Sequence, residues 1–374
     1  MGILIYLIVF AVSCGLLFLA DVFRKNRVVS VLLEILAISL PILLAGLRDL
    51  SVGTDVKVYV VSKFNAVRIA SSFINYVNTA NIEVGFAALV YLVTKLTGSV
   101  TFVLLAIHTF IVVIIYLDIA NHRDKIPVWL GMLVFYLLYF NMSLNIMRQW
   151  MAMAILLYAS KYMFARRTWV YLAYVLIAAC FHETAYVGIF TYLIYAFLNS
   201  RGLFVFQWGR YALKGERLRI HTVVVMIAIA FFSLLDIVAQ FLPGLGLEKY
   251  APYLRGGIVF SANQIILRLP LLILIFINRK EFFQRKEATF MTCMVILDLL
   301  LSQLAAGGNQ SWRIALYFGV YSIFTYAYVC QAAGSKAMRA VSTGFVVVFL
   351  VAYWFYSYVL MGMHDTIPYY FTRF

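Results

Sequence analysis

Apolar residues run along this chain in long blocks that are interrupted by short charged clusters. Three of the blocks contain no Asp, Glu, Lys or Arg: residues 126–147, 168–182 and 220–235. A helix needs about 20 mostly apolar residues to cross the hydrocarbon core of a bilayer. Strands would need strict alternation of apolar and polar positions, which runs such as Val223–Leu235 do not show. The pattern therefore predicts membrane-spanning α-helices. Lipid offers no hydrogen-bond partners, so every backbone N–H and C=O group must bond within the protein, as it does in a helix.

The blocks predict an all-α polytopic membrane protein with about twelve transmembrane helices. The expected spans are residues 2–20, 29–47, 100–119, 127–142, 147–164, 168–182, 183–199, 221–241, 259–278, 288–306, 312–331 and 340–362. Residues 83–97 are apolar on one side, and we expect an amphipathic or re-entrant helix there on the outer face. No internal repeat and no Pro- or Gly-rich linker divides the sequence, so residues 1–374 are expected to form a single integral membrane domain.

The composition supports this class of protein. Hydrophobic residues fill 65% of the 374 positions and charged residues only 12%, whereas a soluble domain is about a quarter charged. The net charge of +15 would suit nucleic acid, but no soluble basic domain is present to bind it, so no nucleic-acid partner is expected. The His, Cys, Asp and Glu residues show no metal-ligand spacing, and we expect neither a metal nor another cofactor.

The basic clusters indicate the orientation, because Lys and Arg accumulate in cytoplasmic loops. Six clusters hold 19 of the 30 basic residues: Arg24/Lys25/Arg27, Arg123/Lys125, Lys161/Arg166/Arg167, Arg201 to Arg219, Arg279 to Lys286, and Lys336/Arg339. Placing all six inside requires twelve crossings with both termini outside. A span at 83–97 would move the second cluster outside, which is why that segment is left out of the spans.

Eleven basic residues then lie outside or within the membrane, against this charge bias. They are Arg48, Lys57, Lys63, Arg68, Lys95, Arg148, Lys249, Arg255, Arg268, Arg313 and Arg373. Arg carries a planar donor fork that suits phosphate. Arg48, Arg148 and Arg313 each follow or precede a predicted span at the outer surface. We therefore expect arginines around an outer mouth that binds a pyrophosphate group.

Uncharged polar residues gather on the same side. Asn141, Asn145 and Arg148 are spaced to share one face of a helix, and Gln149 lies four residues after Asn145. They interrupt a stretch that otherwise lacks charge. Polar groups at such positions are costly in lipid and are more often functional than not.

Two further segments carry candidate chemistry. After the second span, Arg48 and Asp49 precede a second carboxylate, Asp55, which indicates either a substrate site or a surface ion pair at a helix exit. His182 lies at the outer tip of a hairpin, where a histidine can accept a proton near neutral pH. An ordinary polar residue at a hairpin tip is an equal alternative for His182.

Arg268 and Asp298 are a special case. Arg268 lies eleven residues before Arg279, and Asp298 lies eleven residues after Glu287. Antiparallel helices joined by the loop between them would place both at one depth, about 16 Å into the membrane at 1.5 Å per residue. We expect an ion pair that offsets the cost of two charges in lipid. The alternative is that Arg268 lines a cavity.

Four short blocks follow one another in the N-terminal half. They are Leu47-Arg48-Asp49 with Gly53-Thr54-Asp55 and Tyr59, then Glu83-Val84-Gly85-Phe86, then Asn145 with Arg148-Gln149 and Ala152, then Phe181-His182-Glu183-Thr184-Ala185. This order resembles the EpsG family of Wzy-type polymerases, which make bacterial exopolysaccharides, capsules and O-antigens. Arg313 with Tyr317, and Ile367-Pro368-Tyr369, extend the likeness more weakly into the second half.

The resemblance implies a glycosyltransferase of the bacterial plasma (inner) membrane whose active site faces the periplasmic side. Such an enzyme joins oligosaccharide repeat units carried on undecaprenyl pyrophosphate, by passing the growing chain to a hydroxyl of the incoming unit. The expected partners are the lipid-linked donor and acceptor and the membrane lipids, with a chain-length regulator and a flippase as further candidates.

The candidate residues divide by role in this reaction. The arginines expected to stabilise the leaving pyrophosphate are Arg148 above all, with Arg48, Arg255 and Arg313. The candidate bases for the acceptor hydroxyl are His182 first, with Asp55 and Glu83 as alternatives. The remaining residues expected to bind substrate are Asp49, Asn145 and Gln149, with Tyr59 and Tyr369 stacking against sugars.

Two rival functions stay open. A ligase of the same chemical class would move a finished polysaccharide to another acceptor such as lipid A. Such ligases usually carry one large external loop, whereas the longest outer stretch here, 48–82, has about 35 residues. A transporter or flippase for lipid-linked oligosaccharide would show two-fold internal symmetry and charges along a path open to both faces. The unusual polar residues cluster on one side instead.

Overall fold

The structure is a computed structural model that describes residues 2–199, 207–208, 211–212, 244, 262–303 and 312–372. Its contacts divide the chain into two compact units. The first comprises Met1–Tyr186 with Tyr326–Gln331 and Lys336–Phe374, and the second comprises Val187–Thr325 with Ala332–Ser335. The expectation that residues 1–374 form a single integral membrane domain stays a prediction.

Helices form most of the first unit. In chain order they are α1 (Gly2–Val22), α2 (Arg27–Gly46), α3 (Ser62–Ile69), α4 (Phe73–Ala80), α5 (Val84–Thr97), α6 (Val100–Asn121), α7 (Val128–Phe135), α8 (Asn141–Ser143), α9 (Met147–Phe164) and α10 (Thr168–Ala179). A π-helical turn, Val56–Val61, leads into α3, another, Tyr136–Phe140, joins α7 to α8, and a 3₁₀ turn, Glu183–Tyr186, follows α10. The C-terminal part of the unit contains the helix Lys336–Trp354, the π-helical turn Phe355–Leu360 and the 3₁₀ turn Met363–Asp365.

Hydroxyl groups join the first two helices. α1 and α2 pack against each other, and the Ser13 hydroxyl donates to the carbonyl of Ala37 at 2.8 Å while the Ser30 hydroxyl donates to that of Ala20 at 3.0 Å. These bonds matter because lipid offers a buried hydroxyl no partner. α2 also packs against α6, and α6 packs against α9.

α9 is enclosed by protein. Side chains on all of its faces are buried, from Met147 and Trp150 near its start to Met163 near its end, and it packs against α6 and α10. An apolar helix without a polar face is stable only when other elements surround it. Arg148 is the second residue of α9, so one end of this enclosed helix carries the strongest candidate from the sequence.

The second unit is also helical in the part that the structure describes. Its helices are Val187–Leu198, Ala262–Ile277, Arg279–Phe282, Ala288–Ser302 and Trp312–Gly319, and the helix Ser322–Ala332 begins within it. Ala288–Ser302 packs against both Ala262–Ile277 and Trp312–Gly319. A pair of two-residue strands, Gln207–Trp208 and Tyr211–Ala212, is antiparallel.

Each predicted span that has described residues is helical over most of them, which confirms the helical class. The span predicted at 221–241 lies outside the described residues. Five helical segments are long and apolar enough to cross a membrane: Gly2–Val22, Arg27–Gly46, Val100–Asn121, Trp312–Ala332 and Lys336–Leu360. The other apolar helices are shorter, so the number of about twelve crossings stays a prediction.

Two results concern the outer segments. Residues 83–97 do form a helix, α5, and its amphipathic or re-entrant placement in the membrane stays a prediction. The stretch 48–82, for which the residues predict only an outer connection, contains α3 and α4.

Candidate functional site

An ion pair joins two of the blocks singled out in the sequence. Glu83 is the residue immediately before α5 and Arg148 lies in the first turn of α9. Nη1 of Arg148 lies 2.5 Å from Oε2 of Glu83, and both side chains are partly buried. The pair therefore places the start of α5 beside the start of α9, although the two residues are 65 positions apart.

An aromatic ring from a third segment covers the arginine. Tyr59 belongs to the π-helical turn Val56–Val61, and the Arg148 guanidinium lies 5.2 Å from the centre of its ring. A cation over a tyrosine face is attracted by the ring quadrupole. Stacking and ion pairing together fix the plane of the Arg148 fork, while its side chain keeps 24% of its surface exposed.

The fourth segment meets Glu83 from the end of α10. The other oxygen of Glu83, Oε1, accepts a hydrogen bond of 3.4 Å from the backbone N–H of Glu183. Nearby, the backbone N–H of Gly85 donates to the Cys180 carbonyl oxygen at 2.7 Å. A β-carbon at Gly85 would lie only 2.7 Å from that oxygen. The approach of α5 to the end of α10 thus depends on a residue without a side chain.

His182 is oriented by Thr184. The Thr184 hydroxyl lies 2.7 Å from Nδ1 of His182, and the backbone N–H of Thr184 lies 3.3 Å from the same atom. Because a backbone N–H can only donate, Nδ1 is the accepting nitrogen, and the neutral ring carries its proton on Nε2. The basic nitrogen of His182 therefore faces the Thr184 hydroxyl.

Asn145 joins the first outer segment to the C-terminal one. Its Oδ1 accepts from the backbone N–H of Asp55 at 3.4 Å, and its Nδ2 donates to the His364 carbonyl at 2.6 Å. Gly53 has a φ of +95°, and a β-carbon there would overlap Oδ1 of Asn145. The N–H of Gly53 also donates to the Asp365 carbonyl at 2.9 Å. Asn145 thus holds backbone in place, and its predicted contact with substrate stays a prediction.

Arg48 is enclosed by protein, whereas the charge pattern predicts a position at an outer mouth. Its side chain is buried, and the guanidinium donates to the carbonyls of Ala45 at 2.7 Å and Leu144 at 2.8 Å and to Nε2 of His108 at 2.8 Å. Burial lowers the pKa of Arg48 to about 10, so the group stays charged at neutral pH. Its backbone forms a bridge with Phe371. A role in anchoring the chain fits these contacts better than binding a substrate.

Tyr369 also lies in the interior. Its hydroxyl donates to the Leu44 carbonyl at 2.7 Å, and its ring meets that of Tyr6 edge-on at 5.5 Å. Only 6% of its surface is exposed, so its contacts do not favour stacking on a sugar, and that role stays a prediction. With Arg48, it fastens the C-terminal segment to the end of α2.

Three further predicted residues lie in the part of the chain that the structure describes. Oδ1 of Asp49 accepts from the N–H and hydroxyl of Ser51, at 2.9 and 2.6 Å, which closes a local turn. Gln149 is buried in α9. Arg313 lies in the second unit, at the start of the helix Trp312–Gly319. Arg255 lies outside the described residues. No group of three metal-ligating side chains occurs in the parts of the chain that the structure describes.

The sequence model of the EpsG family matches residues 31–371, which is nearly the whole chain. The chain belongs to the EpsG family. This family consists of polysaccharide polymerases of the Wzy type. No curated protein and no solved structure matches the chain. In this EpsG protein, the ion pair and stacking described above bring Tyr59, Glu83 and Arg148 together, next to the segment that carries His182.

Two residues near the EpsG ion pair receive no role from the sequence. Lys63 is one of the eleven basic residues predicted to lie outside or within the membrane. Its Nζ donates to the Ala80 carbonyl at 2.7 Å, three residues before Glu83. Thr184 follows His182 within the fourth block and holds its imidazole. The charge bias marks Lys63 as unusual. Its position beside Arg148 could be predicted only if a helix were first predicted within 48–82.

Proposed function

We propose that this EpsG protein polymerises oligosaccharide repeat units carried on undecaprenyl pyrophosphate. The growing chain passes from its carrier to a hydroxyl of the incoming unit, on the outer leaflet of a bacterial plasma membrane. The observation that carries the proposal is the meeting of Arg148 with Glu83 and Tyr59. Four separate segments supply a fixed guanidinium, a carboxylate, an aromatic face and a histidine within one neighbourhood of the first unit.

The reaction breaks the bond between the anomeric carbon of the growing chain and its pyrophosphate. Negative charge therefore grows on the leaving pyrophosphate in the transition state. A fork-shaped guanidinium held in advance stabilises such charge without reorganising. The N-terminal end of α9 adds its partial positive charge beside Arg148. Arg148 is for these reasons the main anion ligand.

The acceptor hydroxyl loses its proton as the new glycosidic bond forms. We assign His182 as the base and Thr184 as a relay. The Thr184 hydroxyl, 2.7 Å from Nδ1 of His182, gives its own proton to that nitrogen and takes the proton of the acceptor hydroxyl. Glu83 suits a base less well while it is paired with Arg148. Asp55, whose N–H is held by Asn145, is the second candidate.

The orientation of α9 supports an outer site. Arg148 lies at its beginning and Lys161, with Arg166 and Arg167 just beyond, lies at its end. Lys161 follows Arg148 by thirteen positions, which corresponds to about 20 Å along a helix. The basic cluster that predicts the cytoplasmic side is thus separated from the site by much of the membrane thickness.

Purified protein in detergent, supplied with lipid-linked repeat units and no nucleotide sugar, tests the proposal. We expect longer glycans and the release of undecaprenyl pyrophosphate, and we expect Arg148→Gln to abolish both. In liposomes, transfer of units across the bilayer without elongation would favour a transporter. Movement of an intact glycan to a separate acceptor such as lipid A, without lengthening, would favour a ligase. Either of these outcomes contradicts polymerisation.

A further inference from the structure

A second cation lies close to Arg148. Lys63 belongs to α3, and its partly buried side chain donates to the Ala80 carbonyl, the last residue of α4. The turn from Ala80 to Glu83 then leads directly into α5. The ammonium group of Lys63 is thus held against the same turn that presents the carboxylate partner of Arg148.

The helix that carries Lys63 also carries the ring that stacks on Arg148. The turn Val56–Val61 continues into Ser62–Ile69 without a break. Tyr59 and Lys63 are four residues apart and lie on one side of this helix. Two independent contacts, one to Tyr59 and one through the turn at Glu83, therefore bring Arg148 and Lys63 together.

The two cations act on each other electrostatically. Burial, and then repulsion from Arg148, lower the pKa of Lys63. Two like charges held in one place raise the free energy of the protein unless an anion joins them. Glu83 provides one carboxylate, which Arg148 engages. A pyrophosphate group, with more than one negative charge and several acceptor oxygens, would satisfy both cations better than a single carboxylate does.

We propose that Lys63 is a second ligand for the pyrophosphate of the lipid-linked substrate, and that Glu83 holds Arg148 in position until this anion binds. The inference rests on the proposed function, from which it takes the class of its ligand. It adds a binding residue for the leaving group and gives Glu83 the role of an exchangeable counter-ion.

The same helical stretch offers a matched control. Lys57 lies in the turn Val56–Val61, six residues before Lys63, and its side chain is exposed. Lys57→Gln removes the same charge from the same helix as Lys63→Gln does. The two variants differ in whether the lost ammonium lies beside the turn at Glu83.

Inorganic pyrophosphate is the probe, and calorimetry with the purified full-length protein in detergent at low ionic strength is the measurement. We expect wild type to bind pyrophosphate and Lys63→Gln to bind about tenfold more weakly, because a charged hydrogen-bond donor is lost. Arg148→Gln should weaken binding at least as much. Lys57→Gln should leave the affinity unchanged, and Lys63→Arg should recover most of it.

Wild-type affinity in Lys63→Gln would overturn the proposal, and so would a failure of wild type to bind pyrophosphate. The midpoint of thermal unfolding, measured with and without pyrophosphate, separates binding from a structural effect of losing the Ala80 contact. If Lys63 were only structural, Lys63→Gln would lower the midpoint without ligand and keep the full rise that pyrophosphate causes. That result would also overturn the proposal.

The elongation assay separates this inference from the proposed function. If pyrophosphate binding depends on Lys63 but the protein does not lengthen glycans, the proposed polymerase activity is contradicted and the binding site is supported. If Lys63→Gln elongates glycans at the wild-type rate and with the wild-type substrate affinity, the proposed role of Lys63 is contradicted and the polymerase activity is supported.

Discussion

Arg268 and Asp298 form a two-armed ion pair in the second unit. Nε of Arg268 donates to Oδ2 of Asp298 at 2.7 Å, and Nη2 donates to Oδ1 at 2.9 Å. The remaining arm, Nη1, donates to Oε1 of Gln264 at 2.7 Å. Equal distances from the loop between two antiparallel helices predict this pair, and the structure confirms it. The contacts also favour a structural role over a cavity for Arg268.

Removing one member of this pair should destabilise the protein strongly. Arg268→Met leaves a carboxylate without its cation and Asp298→Leu leaves the cation without its carboxylate, and breaking a buried pair typically costs about 3–5 kcal/mol. The double variant should recover most of this loss, because apolar side chains of similar size often replace a buried pair without cost. The midpoint of thermal unfolding in detergent measures all three variants. If the double variant is no more stable than the less stable of the two single variants, the pair does more than neutralise charge.

Arg148→Lys tests whether the guanidinium fork matters beyond its charge. Lysine keeps the positive charge, but it cannot present two parallel donors to phosphate. We expect the rate of elongation to fall about a hundredfold, as when one preorganised donor to a developing charge is lost. Arg68→Lys is the control, because Arg68 is exposed at the end of α3. Near-normal elongation by Arg148→Lys would remove Arg148 from the reaction.

The hydroxyl of Thr184 provides a separate test of the base. Thr184→Val keeps the shape of the side chain and the backbone N–H but removes the group that lies 2.7 Å from Nδ1 of His182. We expect elongation to fall by about a hundredfold, which is the low end of what general acid–base catalysis contributes. Thr184→Ser should retain most of the rate. Full activity in Thr184→Val, together with loss of activity in His182→Gln, would mean that His182 acts without Thr184.

The sequence predicts where helices occur much better than it predicts what each arginine does. Arg48 and Arg148 both lie at the end of an apolar stretch and look alike by charge bias. They differ through partners at long range: Arg48 is enclosed by His108 and Leu144, whereas Arg148 meets Glu83 and keeps an exposed face. A single sequence carries no record of such partners.

The outer segments show the same limit for tyrosine and lysine. Tyr369 is near the C-terminus, where an aromatic residue at a membrane interface is expected, yet its hydroxyl bonds to Leu44 in the interior. Lys63 lies in a stretch whose weak hydrophobic pattern predicts only a connection, although it forms α3. By contrast, Arg268 and Asp298 could be paired in advance because both lie on consecutive helices joined by one short loop, so simple counting gives their depth.

Gly85→Ala tests whether the approach of α5 to α10 sets the geometry of the site. The added β-carbon would lie 2.7 Å from the Cys180 carbonyl oxygen, which also accepts the hydrogen bond from the Gly85 N–H. To relieve this overlap, α5 must move away from the segment that continues to His182, and such overpacking typically costs about 1–3 kcal/mol. We expect a modest fall in the unfolding midpoint and a larger loss of elongation, because Glu83 and His182 would separate. Gly15→Ala is the matched control, since a β-carbon there meets nothing within 4 Å and should stabilise α1 by about 0.5–1 kcal/mol. If Gly85→Ala elongates as fast as Gly15→Ala, the close packing of these two segments has no part in the reaction.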